Sequence, residues 1–168
     1  MRLHRRTFLM GGVGLAALAA THSFGEAKDM TTDTIDYRNL SDAEWRKRLS
    51  PQAYDVLRKQ GTERAGTSPL NHEKRKGIFT CAGCVQPLYS SDTKFESGTG
   101  WPSFYEPLAH AVQTTTDRSF FMTRTEVHCS RCEGHLGHVF NDGPRPTGLR
   151  YCMNGVALNF EPAPRQGA

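Results

Sequence analysis

The sequence His135-Leu-Gly-His-Val-Phe140, which leads through a turn to Arg150-Tyr-Cys-Met-Asn154, determines how the rest of this chain is organised. It contains Cys152, the only cysteine that is not part of a C-x-x-C pair. Side chains alternate between the two faces of a strand, so a strand over the second segment places Arg150, Cys152 and Asn154 on one face. The pattern therefore predicts a thiol flanked by a fixed cation and an amide.

The histidine segment adds acid–base and apolar groups to this thiol. A strand that begins at His138 places its imidazole and the Phe140 ring on one face. Together with Cys152, these groups can form a thiolate, protonate a leaving oxygen and hold an apolar group. A buried cysteine that acts as a small hydrophobic residue would fit the same pattern. The residues alone leave both interpretations open.

The other four cysteines form two C-x-x-C pairs, Cys81/Cys84 and Cys129/Cys132, with 44 residues between them. Each pair can present two thiolates on one face of a tight turn, and two such turns close a tetrahedral four-thiolate zinc site. Two local disulfides or a thioredoxin-like redox pair are the alternatives. The redox pair requires a βαβ context that the sequence lacks. We therefore predict a structural zinc ion bound by the four cysteines.

The first residues have the features of an export signal. Arg5-Arg6 precedes a run of 13 apolar or small residues that begins at Phe8, and this run is shorter than the roughly 20 residues needed to span a bilayer. A paired arginine before such a run resembles a bacterial twin-arginine (Tat) signal. We predict a signal peptide over 1–27, a linker over 28–40, and a periplasmic mature protein without a membrane span. An uncleaved signal would instead anchor the protein in the membrane.

The charge of the chain gives little support for a nucleic-acid partner. The formal net charge is +4, and removal of residues 1–20, which carry three arginines and no acidic residue, leaves +1. A nucleic-acid-binding domain would present a strongly basic face. We therefore predict that the protein binds no nucleic acid.

After the linker, the sequence predicts two short helices followed by strands. Ser41, with Glu44 three residues later, is a capping box, and Ser50-Pro51 starts a second helix that Gly61 ends. From Gly77 onward, short apolar or alternating runs separated by turns predict strands. These runs are Ile78–Thr80, Pro87–Tyr89, Phe120–Thr123, Glu126–His128 and Ala157–Phe160. The predicted fold is mainly β, with the two helices packed on an antiparallel sheet system.

Several longer motifs follow one another in a fixed order along the chain. They are Gly61 to Lys74, Lys94-Phe-Glu-Ser-Gly-Thr-Gly-Trp-Pro-Ser-Phe104, the two C-x-x-C pairs, Gly134 to Phe140, Asp142-Gly-Pro and Arg150 to Asn154. In this order they resemble the B-type methionine-R-sulfoxide reductases (MsrB) over nearly all of the mature chain, and we assign residues 41–164 to one catalytic domain. The resemblance implies a core of two antiparallel β-sheets, arranged as a barrel or a sandwich, with a structural zinc ion. It also implies the reduction of methionine-R-sulfoxide in peptides or proteins.

By matching position, the resemblance implies a role for each residue of the predicted site. Cys152 is the nucleophile, which attacks the sulfoxide sulfur and is left as a sulfenic acid. His135 and His138 hydrogen-bond and protonate the sulfoxide oxygen. Arg150 favours the thiolate, and Asn154 orients the site by hydrogen bonding. Trp101 and Phe140 hold the methyl group of the substrate.

One position departs from the family pattern. Many members carry a resolving cysteine in the segment Ser-Gly-Cys-Gly-Trp, where this chain has Thr99. A hydroxyl group cannot form a disulfide with Cys152, and the other four cysteines are the predicted zinc ligands. We therefore predict that an external thiol, such as thioredoxin, a thioredoxin-like domain or glutathione, reduces the sulfenic acid directly. The predicted partners are this reductant and oxidised exported proteins, and we expect a monomer.

Two other classes of function fit parts of the sequence. A zinc-stapled binding module would need the four paired cysteines, but it has no use for Cys152 together with both histidines. A thiol–disulfide oxidoreductase would cycle one C-x-x-C pair, such as Cys81/Cys84, and would bind no zinc. The sequence favours the reductase because Cys152, both histidines, Trp101 and Asn154 occur together.

Overall fold

The computed structural model of the protein describes residues 35–164. The predicted signal peptide over 1–27 and the first part of the predicted linker lie outside the described residues. No helix among the described residues is long and apolar enough to cross a membrane.

Two short helices open the described part of the chain. The first, α1 (Asp42–Arg48), begins with the predicted capping box: the Ser41 hydroxyl accepts a hydrogen bond from the Glu44 N–H, and the Glu44 carboxylate accepts one from the Ser41 N–H. The second, α2 (Pro51–Lys59), is capped by the Ser50 side chain and has proline at its first position. Local side-chain chemistry therefore fixes where both helices begin, as predicted.

The predicted end of α2 (Pro51–Lys59) is wrong by one residue. Gln60, not Gly61, adopts the left-handed conformation that closes the helix, with φ of 56°. Gly61 serves a close approach instead, because a Cβ atom there would lie 2.1 Å from the carboxylate oxygen Oδ2 of Asp55. Gly61 therefore allows close packing against Asp55 at the end of the helix and is not the residue that caps it.

Nine strands lie within the described residues. They are β1 (Gly77–Cys81), β2 (Pro87–Ser90), β3 (Lys94–Phe95), β4 (Ser103–Phe104), β5 (Val112–Asp117), β6 (Arg124–Cys129), β7 (His135–Phe140), β8 (Arg150–Met153) and β9 (Leu158–Pro162). They form a three-stranded sheet in the order β2-β1-β9 and a six-stranded sheet in the order β3-β4-β8-β7-β6-β5. All pairings are antiparallel. The prediction of a mainly β fold with two antiparallel sheets is confirmed.

One predicted strand, Phe120–Thr123, is wrong. Ser119–Phe121 forms a 3₁₀ turn at the tip of the β5–β6 hairpin. The Ser119 N–H donates to Oδ1 of Asp117 at 2.8 Å, a local bond that favours a turn over a continued strand. The side chain of Phe121 is fully exposed and that of Met122 is half exposed, so these two apolar residues do not pack in the core.

The two sheets pack together through aromatic side chains. Phe104 on β4 lies 4.9 Å from Phe79 on β1 and 4.3 Å from Tyr89 on β2, measured between ring centroids, and all three rings are buried. Met153 on β8 is buried in the same core, and its Sδ atom accepts a hydrogen bond from the Tyr89 hydroxyl at 3.2 Å. Because side chains alternate along a strand, anchoring Met153 in the core turns Cys152 toward the opposite face.

The residues just before α1 also pack on the domain. The Tyr37 ring lies 6.2 Å from the buried Trp45 ring, and Nη2 of Arg38 donates to the carbonyl of Ser130 at 2.9 Å. Tyr37 and Arg38, which lie within the span that we predicted to be linker, therefore pack on the domain.

Candidate active site and metal centre

Two similar turns bring the four paired cysteines together. In each turn the residue after the second cysteine donates its N–H to the carbonyl of the first cysteine: Val85 to Cys81, and Glu133 to Cys129, both at 2.9 Å. Val85 and Glu133 also share a left-handed backbone, with φ of 59° and 58°. The two turns therefore present their thiols in the same way.

The four thiols form one buried cluster, which is a candidate metal site. All four Sγ atoms lie within 4.8 Å of one another, with 3.7 Å between Cys81 and Cys132 and 3.5 Å between Cys84 and Cys129. Hydrogen bonds to Cys129 and Cys132 raise the pKa of the Cys81 thiol far above its ordinary range. Four thiolates at these distances repel one another unless a cation lies between them, so the donor set suits a divalent cation that prefers sulfur.

Helix α2 covers one side of this cluster. Nη1 of Arg58 donates to the carbonyl of Cys132 at 2.9 Å, while its guanidinium stacks on the Trp45 ring at 4.8 Å. Gly134 gives Leu57 room to approach, because a Cβ atom on Gly134 would lie 2.8 Å from the Leu57 side chain. A metal ion in the cluster would therefore stabilise the packing of the helix as well as both turns.

A separate cavity of about 130 Å³ surrounds Cys152. Strands β7 and β8 pair so that His138 stands directly opposite Cys152, and residues that pair in this way have side chains on the same face. Gly137 permits the close approach, because a Cβ atom there would lie 2.1 Å from the carbonyl oxygen of Cys152. The half-buried thiol and the imidazole therefore share one small cavity that has space for a single side chain.

Five of the seven predicted catalytic and substrate residues line this cavity. They are Trp101, His138, Phe140, Cys152 and Asn154. Thr62, Arg124 and Gly137 complete the lining. The structure therefore brings one thiol, one imidazole, one amide and two aromatic rings of the predicted site into the same space.

His135 and Arg150 lie beside the cavity rather than in its lining. The His135 ring is buried, with its centroid 5.4 Å from that of His138. The Arg150 guanidinium stacks over the Phe140 ring at 4.5 Å and forms an ion pair with Asp142 at 2.8 Å. Both residues therefore contact residues of the cavity lining instead of forming the lining themselves.

The charges of these two residues are set by their neighbours. Burial lowers the pKa of His135, although the hydrogen bond between its Nδ1 and Oε1 of Glu126 at 2.7 Å opposes this shift. The hydrogen bonds with Asp142 raise the pKa of Arg150, and the charge of Cys152 adds to this effect. Next to the cavity there are thus a fixed cation and a histidine that burial keeps neutral at neutral pH.

The segment around Glu63, which the sequence did not predict to be part of the site, forms hydrogen bonds with two of the lining residues. The Glu63 N–H donates to Oδ1 of Asn154 at 3.0 Å, and the Trp101 indole N–H donates to the Glu63 carbonyl at 3.2 Å. The Glu63 carboxylate accepts hydrogen bonds from the N–H groups of Gly155 and Val156. This segment therefore fixes the amide and the indole relative to the strand that carries Cys152.

Two carboxylates that the sequence did not predict to be part of the site form hydrogen bonds with the histidines. Glu126 pairs with His135, and Oδ2 of Asp117 lies 2.8 Å from Nε2 of His138. For Glu126 the sequence offered one signal: alternation along β6 places it on the same face of the sheet as Arg124. It could not name their partners, because those depend on the register of three strands.

Thr99 lies beside the nucleophile, with its Oγ1 atom 3.8 Å from the Cys152 Sγ atom. The hydroxyls of Ser103, Ser97 and Thr99 follow one another at 2.7 and 2.8 Å. The position of the missing resolving cysteine is therefore close to Cys152, but it carries a hydroxyl group.

The fold and the cavity define a β-sheet protein in which one half-buried cysteine lines a small cavity, separate from a four-cysteine candidate metal site. The SelR domain model matches residues 49–162. The peptide methionine sulfoxide reductase MsrB of Methanosarcina barkeri is 59% identical over 122 residues, which are 72% of this chain and 86% of that protein. The MsrB of Leptospira interrogans is 56% identical over 124 residues (73% and 95%), and that of Agrobacterium fabrum is 51% identical over 135 residues (80% and 98%). The chain belongs to the SelR family, the methionine-R-sulfoxide reductases of type B.

One solved structure, that of the Mis18 "Yippee-like" domain, aligns with 54% of this chain and 100% of its own chain. The TM-score is 0.44 and the sequence identity is 20%, a similarity too low to inform either fold or function.

Proposed function

We propose that this chain reduces methionine-R-sulfoxide in peptides to methionine, with Cys152 as the nucleophile and a sulfenic acid as the intermediate. By its family it is a peptide-methionine (R)-S-oxide reductase. The observation that supports this mechanism is the half-buried Cys152 thiol in a cavity shared with an indole, a phenyl ring and an imidazole. The reaction needs a nucleophile, an apolar wall for the methyl group and a proton donor, and the cavity offers all three.

The first step transfers one oxygen atom between two sulfur atoms. The Cys152 thiolate attacks the sulfoxide sulfur while protonated His138 donates its proton to the sulfoxide oxygen. The S–O bond of the substrate then breaks, the hydroxyl passes to Cys152 as a sulfenic acid, and methionine leaves. The Cys152 sulfur loses two electrons, the substrate sulfur gains two, and the step consumes one proton. Trp101 and Phe140 hold the methyl group, which fixes the handedness of the sulfur that can react.

The residues beside the cavity support this step. The cation of Arg150, held by Asp142, favours a negative charge on Cys152. His135 is buried and paired with Glu126, so we assign it to supporting His138 rather than to protonating the substrate. Asn154, fixed by its bonds to Glu63 and Leu136, orients the groups around the thiol.

Regeneration of Cys152 requires an external thiol in this proposal. A first thiol attacks the sulfenic acid, which releases water and leaves a mixed disulfide, and a second thiol then displaces Cys152 as a thiolate. The four other cysteines lie together in the buried cluster, and position 99 carries a hydroxyl. A thioredoxin-like protein or glutathione supplies the two electrons.

We expect the Thr99→Cys variant to regain an internal resolving step. Its introduced thiol would start from a position where Oγ1 lies 3.8 Å from the Cys152 Sγ atom, so a small side-chain rotation brings the two sulfur atoms into bonding distance. One equivalent of substrate without reductant should give a disulfide between position 99 and Cys152, detected by non-reducing peptide mass spectrometry. The wild type and the Thr99→Ser control should give a sulfenic acid that dimedone traps. An internal disulfide at Cys152 in the wild type would contradict the external-thiol route.

We propose that the four-cysteine cluster binds a structural zinc ion. A tetrahedral site with zinc–sulfur bonds of about 2.3 Å has sulfur–sulfur edges of about 3.8 Å. The measured 3.7 Å between Cys81 and Cys132 and 3.5 Å between Cys84 and Cys129 agree with this size. Four protein ligands leave no open position, so zinc here would stabilise the fold and take no part in the chemistry.

We also propose that the protein is exported by the twin-arginine route and acts as a monomer on oxidised periplasmic proteins. The support is the Arg5-Arg6 pair and the apolar run after it. Because that route carries folded proteins, zinc would be bound in the reducing cytoplasm, before the thiols meet an oxidising compartment. N-terminal sequencing of the protein from a periplasmic extract tests this, and an intact Met1 on cytoplasmic protein would contradict it.

The stereochemistry of the substrate provides the decisive test of the reaction. Purified protein with dithiothreitol is incubated with resolved R and S epimers of a peptide methionine sulfoxide, and methionine formation is followed by chromatography. We expect turnover of the R epimer and none of the S epimer, because the two aromatic rings fix where the methyl group lies. Turnover of the S epimer alone, or of neither, would refute the proposed function.

A further inference from the structure

Asp117 contacts His138 from two strands away. Asp117 ends β5 and His138 lies on β7, and β6 runs between them. Even so, Oδ2 of Asp117 lies 2.8 Å from Nε2 of His138, and both side chains are mostly buried, with 16% and 13% of their surface exposed. The far end of the β5–β6 hairpin thus reaches the imidazole that stands opposite Cys152.

Two groups besides His138 hold this carboxylate in place. Nη2 of Arg124 donates to Oδ2 of Asp117 at 2.6 Å, and the Ser119 N–H donates to Oδ1 at 2.8 Å. Arg124 stands opposite Asp117 in the β5–β6 register and also lines the cavity around Cys152. The hydrogen bonds from Ser119, followed by those with His138 and Arg124, hold the pKa of Asp117 well below its ordinary range. The carboxylate is therefore a fixed negative charge at neutral pH.

A carboxylate on one ring nitrogen determines what the other nitrogen can do. Within residues 35–164, no protein group forms a hydrogen bond with Nδ1 of His138, whereas Nε2 faces Asp117. When the ring is protonated, Nε2–H donates to Asp117 and Nδ1–H remains for a ligand in the cavity. In the neutral ring, Asp117 selects the tautomer with the proton on Nε2.

We propose that Asp117, fixed by Arg124, is a positioning residue for the reductase step. It holds His138 with Nδ1 directed to the sulfoxide oxygen and stabilises the imidazolium that donates the proton. This inference rests on the proposed function, and it extends the site from the strands that carry the thiol to the tip of the β5–β6 hairpin.

The kinetic test compares the Asp117→Asn variant with the wild type on a methionine-R-sulfoxide peptide. We expect kcat to fall by about 10- to 100-fold, the usual cost of removing a group that orients a functional histidine, with KM changed by less than about two-fold. Asp117→Glu keeps the charge and should recover most of kcat. Asp92→Asn makes the same chemical change in an exposed ion pair with Lys76 and should leave kcat unaltered.

The second readout is the tautomer of His138, measured by ¹⁵N NMR of histidine-labelled protein at a pH where the ring is neutral. We expect a proton on Nε2 alone in the wild type and a changed tautomer ratio in Asp117→Asn, with zinc content and thermal midpoint preserved. An unchanged tautomer or an unchanged kcat in Asp117→Asn would overturn the inference. A loss of kcat in both Asp117→Asn and Asp117→Glu, together with a lower thermal midpoint, would also overturn it. Because the NMR measurement needs no turnover, it separates this inference from the proposed function, which fails only if the wild type does not reduce the R epimer.

Discussion

The Cys152→Ser variant should lose on the order of 10⁴-fold or more in kcat/KM for a methionine-R-sulfoxide peptide, because the reaction requires a sulfur atom that can accept the oxygen. A serine hydroxyl is a far weaker nucleophile near neutral pH and has no oxidised state equivalent to a sulfenic acid. The measurement is steady-state turnover with dithiothreitol as reductant. No other residue of the cavity is expected to show an effect of this size.

The fold of the Cys152→Ser variant should be intact. The side chain is half-buried at the cavity and is separate from the four-cysteine cluster, so the thermal midpoint and zinc content should match those of the wild type. Cys84→Ser is the matched contrast, because the same chemical change at a buried ligand should remove metal and fold together. If Cys152→Ser kept wild-type activity, Cys152 would not be the nucleophile, and a zinc-stapled binding module would become the better interpretation.

Loss of the metal should unfold the domain. Structural zinc sites contribute about 10–16 kcal/mol of apparent binding free energy, which equals or exceeds the roughly 5–15 kcal/mol by which typical domains are stable. The cluster joins the turn after β1 to the turn after β6, and the carbonyl of Cys132 binds α2 through Arg58. We expect a strong chelator, or the Cys132→Ser substitution, to abolish the cooperative thermal transition seen by circular dichroism.

Metal analysis of the purified protein gives the control for this prediction. About one zinc ion per chain is expected in the wild type, and re-addition of zinc under reducing conditions should restore the transition after chelation. A metal-free protein with the wild-type thermal midpoint would contradict the structural role. A pair of disulfides within Cys81/Cys84 and Cys129/Cys132 would do the same, and mass spectrometry under non-reducing conditions detects them.

Local patterns in the sequence were sufficient to predict a mainly β fold with two short helices, whereas the two-sheet arrangement and Trp101 were predicted from the resemblance to a family. The capping residues Ser41 and Ser50 act within four residues of themselves, so their effect on the helix starts can be read without a structure. Alternation along a strand likewise needs only the sequence; it predicts His138 and Phe140 on one face, and both line the cavity around Cys152. Such predictions succeed because the physical cause is local.

The carboxylate partners could not be predicted, because their cause is not local. The bond between Asp117 and His138 depends on the register of β5, β6 and β7, and no single segment carries that information. The same limit explains the error at Phe120–Thr123, a run with strand composition at the tip of a hairpin, where the side chains of Phe121 and Met122 are exposed. Tertiary packing, rather than composition, determined the secondary structure of that segment.

The buried hydrogen bond between Tyr89 and Met153 has a consequence for the oxidation of this protein's own methionine. Met153 carries the thioether group that methionine sulfoxide reductases restore, and it is the next residue after Cys152. Strand alternation sends that thioether inward, where it is fully buried and its sulfur already accepts a hydroxyl proton. Burial therefore shields this sulfur from direct contact with an oxidant in the surrounding medium, whereas the side chain of Met122 is half exposed.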